Sequence, residues 1–399
     1  MDTLEPDGLS RRRWRALAWG AAAAIVMIVA AAVYLRPSLP ATTPSARPLT
    51  ATNPTEATNV YVVYDFTSPS VGWALAFPVN FQGRFWVSRT LDGGKHWQNR
   101  LKGDNAMSGS TPVLVRFFDE KRGFISTGVS GELLRTIDGG AHWQSLRLPP
   151  EPRITYLGFR DERHGWLISP ILAGQPAGGS GNLPDELPGQ PSHLYATEDA
   201  GASWQRLPDA PAGTWSFAFR GASEAWLGGV SSGKPGVYRS VDGGLMWQRR
   251  EIPYPDGDTS MSAIGAWNTF LTLLPGDGVV ASTFCSCPVN ASFLSTSFDG
   301  GATWRFVPAA PFSSARQAFV AYQDDTHWWF VDASALYRSS DAGQTWTKVA
   351  DQLPAWEFVP KAIDLKHAWA QVRGSGGYGL ATTADAGLHW TRVRIPQPT

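Results

Sequence analysis

The side chains of this 399-residue chain best suited to proton transfer or metal binding are its seven histidines. Six recur at two fixed places, directly before a tryptophan or two residues before an aromatic residue: His96, His142, His389, His164, His327 and His367. Catalysis and metal binding need unlike residues that converge on one point, whereas a residue repeated at one place is typical of a turn. The sequence has no H-E-x-x-H motif and no paired C-x-x-C motif. It therefore predicts no catalytic residue, no metal ligand and no cofactor, and only His193 lies outside the pattern.

Three of these histidines belong to an eight-residue pattern, Ser/Thr-x-Asp-Gly/Ala-Gly-x-x-Trp, which we call the box. It occurs seven times, at 90–97, 136–143, 197–204, 240–247, 297–304, 339–346 and 383–390. Its aspartates are Asp92, Asp138, Asp199, Asp242, Asp299, Asp341 and Asp385. Successive boxes are about 49 residues apart, which is enough for four short strands and their turns. This spacing predicts an all-β fold, a seven-bladed β-propeller over residues 58–395.

A second recurring segment lies upstream of most boxes and joins two aromatic or apolar residues through a short polar turn. It reads F-F-D-E-K-R-G-F at 117–124 and F-R-D-E-R-H-G-W at 159–166, whereas blade five has P-G-D-G-V-V at 275–280. Its aspartates are expected to close one hairpin per blade: Asp119, Asp161, Asp324 and Asp364. Each blade should run inner strand, polar turn, second strand, third strand, box and outer strand. The second blade illustrates this order with Val113–Phe118, Gly123–Gly128, Glu132–Thr136 and His142–Arg147.

Each residue type in the box has a physical reason to be there. The Asp and the Ser/Thr are expected to accept hydrogen bonds from N–H groups of their own turn. The glycine two residues after the Asp should adopt a positive φ, which a Cβ disfavours. The tryptophan should begin the outer strand and bury its ring between neighbouring sheets. Five tryptophans of the predicted propeller fit no repeat position: Trp86, Trp215, Trp267, Trp328 and Trp356.

These repeats resemble those of the Asp-box (BNR) propellers and, among them, the photosystem II stability and assembly factor family. The resemblance rests on a G-W strand and an R-T-x-D-G-G-x-x-W box, as in Leu134–Trp143, and covers about 340 residues. An arginine precedes the Ser/Thr of four boxes, as Arg89, Arg135, Arg239 and Arg338. The resemblance implies a non-catalytic, seven-bladed propeller that helps to assemble membrane complexes. No motif in this sequence places the basic contact patch of that family.

The N-terminal 57 residues are unlike the repeats. Four arginines at positions 11, 12, 13 and 15 precede an uncharged run at 16–35, and about twenty helical residues span about 30 Å, a bilayer core. The sequence therefore predicts a cytoplasmic tail (1–15), a single transmembrane helix acting as signal anchor (16–35) and a Pro/Thr/Ala-rich linker (36–57). The propeller would then lie on the extracytoplasmic side of the cell membrane. A cleaved signal peptide is the alternative, and Ser10–Trp14 also resembles a twin-arginine export signal.

Charge and cysteine content exclude two classes of protein. Lys plus Arg equal Asp plus Glu at 34 each, so no basic excess exists to displace counterions from a nucleic acid. The chain has two cysteines, Cys285 and Cys287, which are too few for a disulfide scaffold. This pair fits a small disulfide outside the membrane, a free thiol pair, or a redox or copper-binding motif.

Departures from the repeat mark a candidate surface for a partner. Blade three carries an extra loop at 174–192, and blade five has long connections near 252–264 and 284–292. Loops between second and third strands emerge opposite the boxes, so these insertions should share one face. We expect a non-enzymatic scaffold that binds a membrane or extracytoplasmic protein there. The alternative is a sialidase-like or xyloglucanase-like glycoside hydrolase, although no motif supplies the paired carboxylates it needs. A sortilin-like peptide receptor would have more blades.

Overall fold

The computed structural model describes residues 60–396 except 79–83, 105–110, 130, 172–190, 212–213, 222, 233, 255–265, 275, 287–291, 308–318, 333–334, 351–354, 357–359 and 375–376. The predicted tail, transmembrane helix and linker at 1–57 lie outside these residues, so they stay predictions. Within the described ranges, no helix has the length and apolar character needed to cross a bilayer.

All regular secondary structure in the described ranges is β-strand. The first four blades contain β1 (Val60–Phe66), β2 (Gly72–Pro78), β3 (Phe85–Thr90), β4 (Gln98–Gly103), β5 (Val113–Phe117), β6 (Gly123–Thr127), β7 (Glu132–Thr136), β8 (Gln144–Arg147), β9 (Tyr156–Phe159), β10 (Gly165–Pro170), β11 (Ser192–Thr197), β12 (Gln205–Arg206), β13 (Thr214–Arg220), β14 (Glu224–Ser232), β15 (Gly236–Ser240) and β16 (Gln248–Glu251). The last three contain β17 (Ala266–Leu273), β18 (Val279–Ser286), β19 (Ser292–Ser297), β20 (Arg305–Phe306), β21 (Phe319–Tyr322), β22 (Trp328–Asp332), β23 (Ala335–Ser339), β24 (Thr347–Ala350), β25 (Ala355–Trp356), β26 (Lys361–Ala362), β27 (Ala368–Gly374), β28 (Gly377–Thr383) and β29 (Thr391–Val393).

Each blade is an antiparallel sheet whose strands follow chain order. Blades one, two, three and six are separate four-stranded sheets, formed by β1–β4, β5–β8, β9–β12 and β21–β24. Blades four (β13–β16) and five (β17–β20) belong to one eight-stranded sheet. In blade seven, β25 and β26 are two pieces of the first strand, because both pair with β27. The predicted all-β, seven-bladed propeller is therefore confirmed.

The first strands lie at the centre of the ring, since β1 contacts β5, β5 contacts β9, β9 contacts β13 and β13 contacts β17. The turns between first and second strands and the boxes emerge on one side, which we call the box face. The other connections emerge on the opposite side, the loop face. On the box face the two kinds of turn are bonded, as where Gly93 donates its N–H to the Ser70 carbonyl at 2.8 Å.

Aromatic side chains of successive blades stack on each other. The ring of Trp73, in the second strand of blade one, lies 3.7 Å from that of Phe117 in the first strand of blade two, with 4° between their planes. Equivalent stacks join blades two to three and three to four. Trp369 of blade seven stacks on Phe66 of blade one at 3.8 Å. The two aromatic positions of the upstream segment therefore join neighbouring blades.

A glycine in the second strand makes room for three phenylalanines of these stacks, Phe66, Phe117 and Phe159, whereas Ala225 lies opposite Phe219 in blade four. A Cβ on Gly123 would overlap the Phe117 ring of its own blade, and a Cβ on Gly72 would overlap Phe66. The small residue before the second-strand aromatic is therefore required by the ring that lies across it.

The largest buried side chains are tryptophans, and they fill the spaces between blades. Seven are almost wholly enclosed: Trp73, Trp86, Trp226, Trp267, Trp328, Trp329 and Trp369. Among them, Trp86, Trp267 and Trp328 fit no repeat position in the sequence, yet each belongs to a core that two blades share. Burial of such rings supplies much of the stabilisation that holds the blades together.

Blades one and seven close the ring through side chains, and within the described ranges no strand passes from one to the other. Val62 and Trp369 belong to their shared core. The side-chain oxygen Oε1 of Gln371 accepts the Val62 N–H at 2.8 Å, and the Tyr64 hydroxyl donates to the Trp369 carbonyl at 2.7 Å.

One buried carboxylate connects three successive blades at this closure. Asp65 of blade one accepts the N–H of Phe117 in blade two at 2.8 Å. The same carboxylate forms an ion pair with Lys361 of blade seven. Because a buried charge must be paired, Asp65 requires both neighbouring blades to be in place.

Blades four and five are joined by backbone hydrogen bonds. β14 pairs with β13 as far as Gly229 and then continues along β17, where Val230 lies opposite Asn268. Just before this change of partner, a Cβ on Gly228 would overlap the Thr269 carbonyl oxygen of blade five. The close approach of the two backbones therefore requires glycine.

We expect Gly228→Ala to lower the free energy of unfolding by about 1–3 kcal/mol, because the added Cβ must push the two backbones apart. The control is Gly379→Ala in β28, where the nearest atom to an added Cβ is Arg392 Nη1 at 4.0 Å. Chemical denaturation of both variants would measure the difference. Equal effects of the two substitutions would contradict the close approach as the cause.

Candidate functional site

Every box forms the same hydrogen-bonded turn. The Ser/Thr hydroxyl accepts the N–H of the box glycine four residues later at 2.8–2.9 Å. That hydroxyl donates to Oδ1 of the Asp at 2.7–3.0 Å. Oδ1 also accepts the backbone N–H four residues after the Asp at 2.8–3.0 Å. One carboxylate oxygen is thus used in the turn in all seven boxes.

The second carboxylate oxygen, Oδ2, is bonded by the side chain at the seventh box position. In three boxes this side chain is a histidine, whose Nδ1 lies 2.6–2.7 Å from Oδ2: His96, His142 and His389. In three others a hydroxyl donates at 2.5–2.6 Å: Ser203, Thr303 and Thr345. Box four has Met246 there, which cannot make this bond. The histidines of the boxes therefore bond the aspartate of their own turn.

Two consecutive box positions have positive φ. The predicted glycine does so throughout, with Gly94 at 98° as an example, but so does the residue directly after the Asp. In three boxes that residue is an alanine: Ala200, Ala342 and Ala386, at 65°, 57° and 64°. The sequence analysis missed this second position, because alanine there hides the left-handed conformation that glycine signals.

The upstream turns also use their aspartates for hydrogen bonding. Asp161 Oδ1 accepts the N–H groups of Arg163 and His164, both at 2.9 Å. Asp119, Asp324 and Asp364 accept the corresponding pairs of N–H groups in their own turns. The imidazoles of His164, His327 and His367 lie beside these carboxylates. Six histidines are thus each next to one aspartate of the same turn.

The arginines that precede the boxes lie over tryptophan rings. Three of them contact the second-strand tryptophan of their own blade at 5.1–5.5 Å from the ring centroid: Arg89 on Trp73, Arg239 on Trp226 and Arg338 on Trp329. The Arg89 side chain is 13% exposed. These guanidinium groups therefore stabilise the packing between blades by cation–π contact.

The box tryptophans lie between blades, as expected, but they are less buried than the sequence predicted. Six are half-buried, and Trp390 alone is buried. Trp143 of blade two illustrates this position, since it packs against a core that includes Trp73 and Leu75 of blade one. Each box tryptophan therefore covers the rim of a core that the second-strand aromatics fill.

The one histidine outside the repeats belongs to a buried polar cluster on the loop face of blade three. Glu151 accepts hydrogen bonds from Ser169 Oγ at 2.8 Å, from Tyr195 Oη at 2.5 Å and from His193 Nδ1 at 2.9 Å. The Glu151 side chain is 8% exposed and that of His193 is 25% exposed. Sequence analysis singled out His193 but not its partner, which lies in the Pro-rich connection P-P-E-P between β8 and β9.

The electrostatics of this cluster follow from burial and hydrogen bonding. Burial alone would raise the pKa of Glu151, but the bonds from Tyr195, His193 and Ser169 outweigh it and lower the pKa. Burial and the bond to Glu151 raise the pKa of Tyr195 to about 12. The cluster therefore holds an ionised carboxylate that orients one imidazole, an arrangement suited to positioning a proton donor or acceptor.

The charge of Asp209 also acts on the Tyr195 hydroxyl of this cluster. Of the other acids outside the repeats, Asp209 pairs with Arg206, and Glu251 pairs with Lys234 and Arg249. Within these ranges, no group of three or more His, Cys, Asp and Glu side chains could hold a metal ion.

The cysteine pair and the insertions fall partly outside the described residues. Cys287 and the side chain of Cys285 are not described, so their state stays a prediction. Most of the blade-three insertion also lies outside. The strands that flank it, β10 and β11, and those that flank the 284–292 connection, β18 and β19, all meet the loop face at these ends. The described ends of these four strands therefore share that face, whereas the insertions themselves stay a prediction.

Known structures share the propeller fold with this chain. YCF48 bound to D1 peptide is 17% identical, with 85% of this chain and 99% of that chain covered and a TM-score of 0.55. The chain has the fold of YCF48. A GH74 xyloglucanase from Xanthomonas campestris is 14% identical over 86% of this chain and 55% of its own, with a TM-score of 0.55. A puromycin-hydrolysing peptidase from Mycobacterium tuberculosis is 14% identical over 90% and 57%, with a TM-score of 0.59.

These likenesses concern the fold alone, because binding proteins and hydrolases share it at similar identity. No protein-family model and no curated protein matches the sequence.

The two side chains of a box should contribute unequally to stability. Thr136→Val should lower the free energy of unfolding by about 1–3 kcal/mol, because the buried Gly140 N–H loses its acceptor. Asp138→Ala should lower it by about 1 kcal/mol, because the exposed His142 N–H can bond to water instead. Urea denaturation of both variants would measure the order, and a larger loss for Asp138→Ala would contradict it.

The boxes should also make stability fall in acid. Hydrogen bonds, first among them those from the backbone N–H groups of His96 and His142, lower the pKa of Asp92 and Asp138 to about 2. A carboxyl whose pKa is lower when folded stabilises the protein above its unfolded pKa of about 4 and loses this contribution as the pH falls towards 2. Denaturation at pH 5, 4, 3 and 2 should show this decline. Asp138→Asn should make the decline shallower, and an unchanged slope would argue against the assignment.

Proposed function

We propose that this chain is a non-enzymatic scaffold, tethered to the cell membrane by residues 16–35, whose extracytoplasmic propeller binds a protein partner. The observation that supports this proposal most is that the carboxylates of the box aspartates form hydrogen bonds within their own turns. In each box one oxygen of the aspartate bonds N–H and hydroxyl groups of its own turn, and in six boxes the other oxygen is bonded too. In this proposal the seven box aspartates are structural.

A polypeptide partner is supported by the fold neighbour YCF48, whose structure holds a D1 peptide. That chain is covered over 99% of its length, so it is a propeller of the same extent as this one. At 17% identity the neighbour does not carry its ligand over to this chain, and the proposal is limited to a protein partner.

We place the partner on the loop face. The strand ends that both insertions connect lie there, and Glu151 holds the ends of β10 and β11 together through Ser169 and His193. β1 begins at Val60 on the same face, so the tether joins the propeller there. A partner in or near the membrane would therefore meet the insertions first.

A glycoside hydrolase is the second candidate, because a GH74 xyloglucanase shares the fold. Such an enzyme needs two carboxyl groups on either side of the scissile bond. Glu151 is a buried acid outside the repeats, and its three hydrogen bonds are made within the fold.

The test is affinity capture of the full chain in mild detergent, with cross-linking and mass spectrometry. Replacing 174–190 by a short Gly-Ser connection, which keeps Ser192 at the start of β11, should abolish capture of a specific partner. The variant should keep its thermal unfolding temperature, because β10 and β11 remain joined by their own ladder. Undiminished capture would remove the insertion from the interface. If the protein hydrolyses xyloglucan or a sialoside, and the Glu151→Gln variant does not, the scaffold proposal is wrong and the glycoside hydrolase is the better function.

A further inference from the structure

Box four differs from the other boxes in the side chains that it exposes. Val241 is 63% exposed, Leu245 52% and Met246 73%, all within six residues of one turn. At the seventh position, where Met246 lies, every other box has a histidine, serine or threonine. We call Val241, Leu245 and Met246 the box-four patch.

The same substitution leaves one carboxylate oxygen available. Asp242 Oδ1 accepts bonds from Ser240 and from the N–H groups of Leu245 and Met246. Its Oδ2 has no bond from a described residue, whereas in the other six boxes the seventh side chain bonds it. Hydrogen bonds, the largest from the Met246 N–H, lower the pKa of Asp242, so the group is charged at neutral pH.

We propose that the box-four patch binds a polypeptide segment in which a lysine or arginine lies next to apolar side chains. The cation would bond Asp242 Oδ2, and the apolar side chains would cover Val241, Leu245 and Met246. This inference goes beyond the proposed function, because it names a second binding surface on the box face, opposite the loop face on which the partner of the scaffold is placed.

The chemistry of the patch favours this partner over others. A charge-assisted bond between an ammonium or guanidinium group and a free carboxylate oxygen is stronger than a neutral bond. The thioether of methionine adapts its shape to varied apolar side chains, which suits recognition of a flexible segment. An acidic segment would be repelled by Asp242, and a purely polar segment would leave the apolar side chains of the patch exposed to water. The nearby Arg239 is already paired with Glu224 at 2.9 Å, so it does not neutralise the patch.

The repeat itself supplies the variant that tests the patch. Met246→Thr restores the side chain found in boxes five and six, where Thr303 and Thr345 donate to the second Asp oxygen at 2.5 Å. The variant should therefore fold at least as stably as the wild type while losing both the free oxygen and the thioether. Val241→Ser is a second variant, since box six has Ser340 at that position. Ile137→Ser in box two is the matched control, because Ile137 is 64% exposed but Asp138 is bonded by His142.

The experiment measures binding of three short fluorescent peptides to the full chain in detergent: alternating Leu and Lys, alternating Leu and Glu, and alternating Ser and Lys. The Leu/Lys peptide should bind at least tenfold more tightly than the other two. Met246→Thr and Val241→Ser should each weaken its binding at least threefold, and Ile137→Ser should leave it unchanged. With ¹³C-methyl methionine, the resonance that Met246→Thr removes should be the one that shifts most when the peptide is added.

Equal binding of the three peptides, no binding to the wild type, or unchanged binding by Met246→Thr would each overturn the inference. Concentration-dependent dimerisation that Met246→Thr abolishes would assign the patch to a second copy of the chain and would overturn it too. The proposed function is judged separately, by whether Met246→Thr still captures the specific partner of the full chain. Capture without peptide binding would leave the scaffold standing and remove only the patch.

Discussion

The contact on which the ring depends is the stacking of an aromatic side chain in the second strand of one blade on an aromatic side chain in the first strand of the next. It joins blades one, two, three and four, and the same contact between Trp369 and Phe66 closes the circle. Where it is missing, another interaction replaces it. Blade five lacks the aromatic pair, and there β14 leaves its own sheet and pairs with β17 by backbone hydrogen bonds.

The sequence predicted the blades well because the repeat is made of local interactions. The box bonds join residues two and four positions apart, as between Thr136 and Gly140, so their pattern can be read from eight letters. The strands of blade two begin and end within two residues of the predicted positions. The box tryptophan, Trp143, was expected to begin the outer strand and instead lies directly before it. The number of blades followed from counting boxes. The polar turns followed from the shared position of their aspartates.

The features that the sequence did not reveal depend on distant segments or on a change of one residue type. Glu151 meets His193 only because the connection between two blades folds back onto a sheet edge 42 residues away. The continuous sheet of blades four and five needs Gly228 at a crossing that no repeat marks. Ala200 has the same positive φ as the glycines at its position, and its side chain gives no sign of it. The loss of a bond at Met246 is visible in the sequence only once the role of the seventh box position is known.

The junction between blades one and seven determines whether the chain termini must lie between these two blades. That junction has the ring stack that also joins blades one to four, it adds the bonds of Gln371 and Asp65, and no described strand pairs across it. New termini opened at another loop-face connection, with the old ones linked, would break no ladder between strands. The passage from blade four to blade five differs, because there β14 pairs with strands of both blades. In the described residues, six junctions of this propeller are thus held by side chains and one by strand pairing.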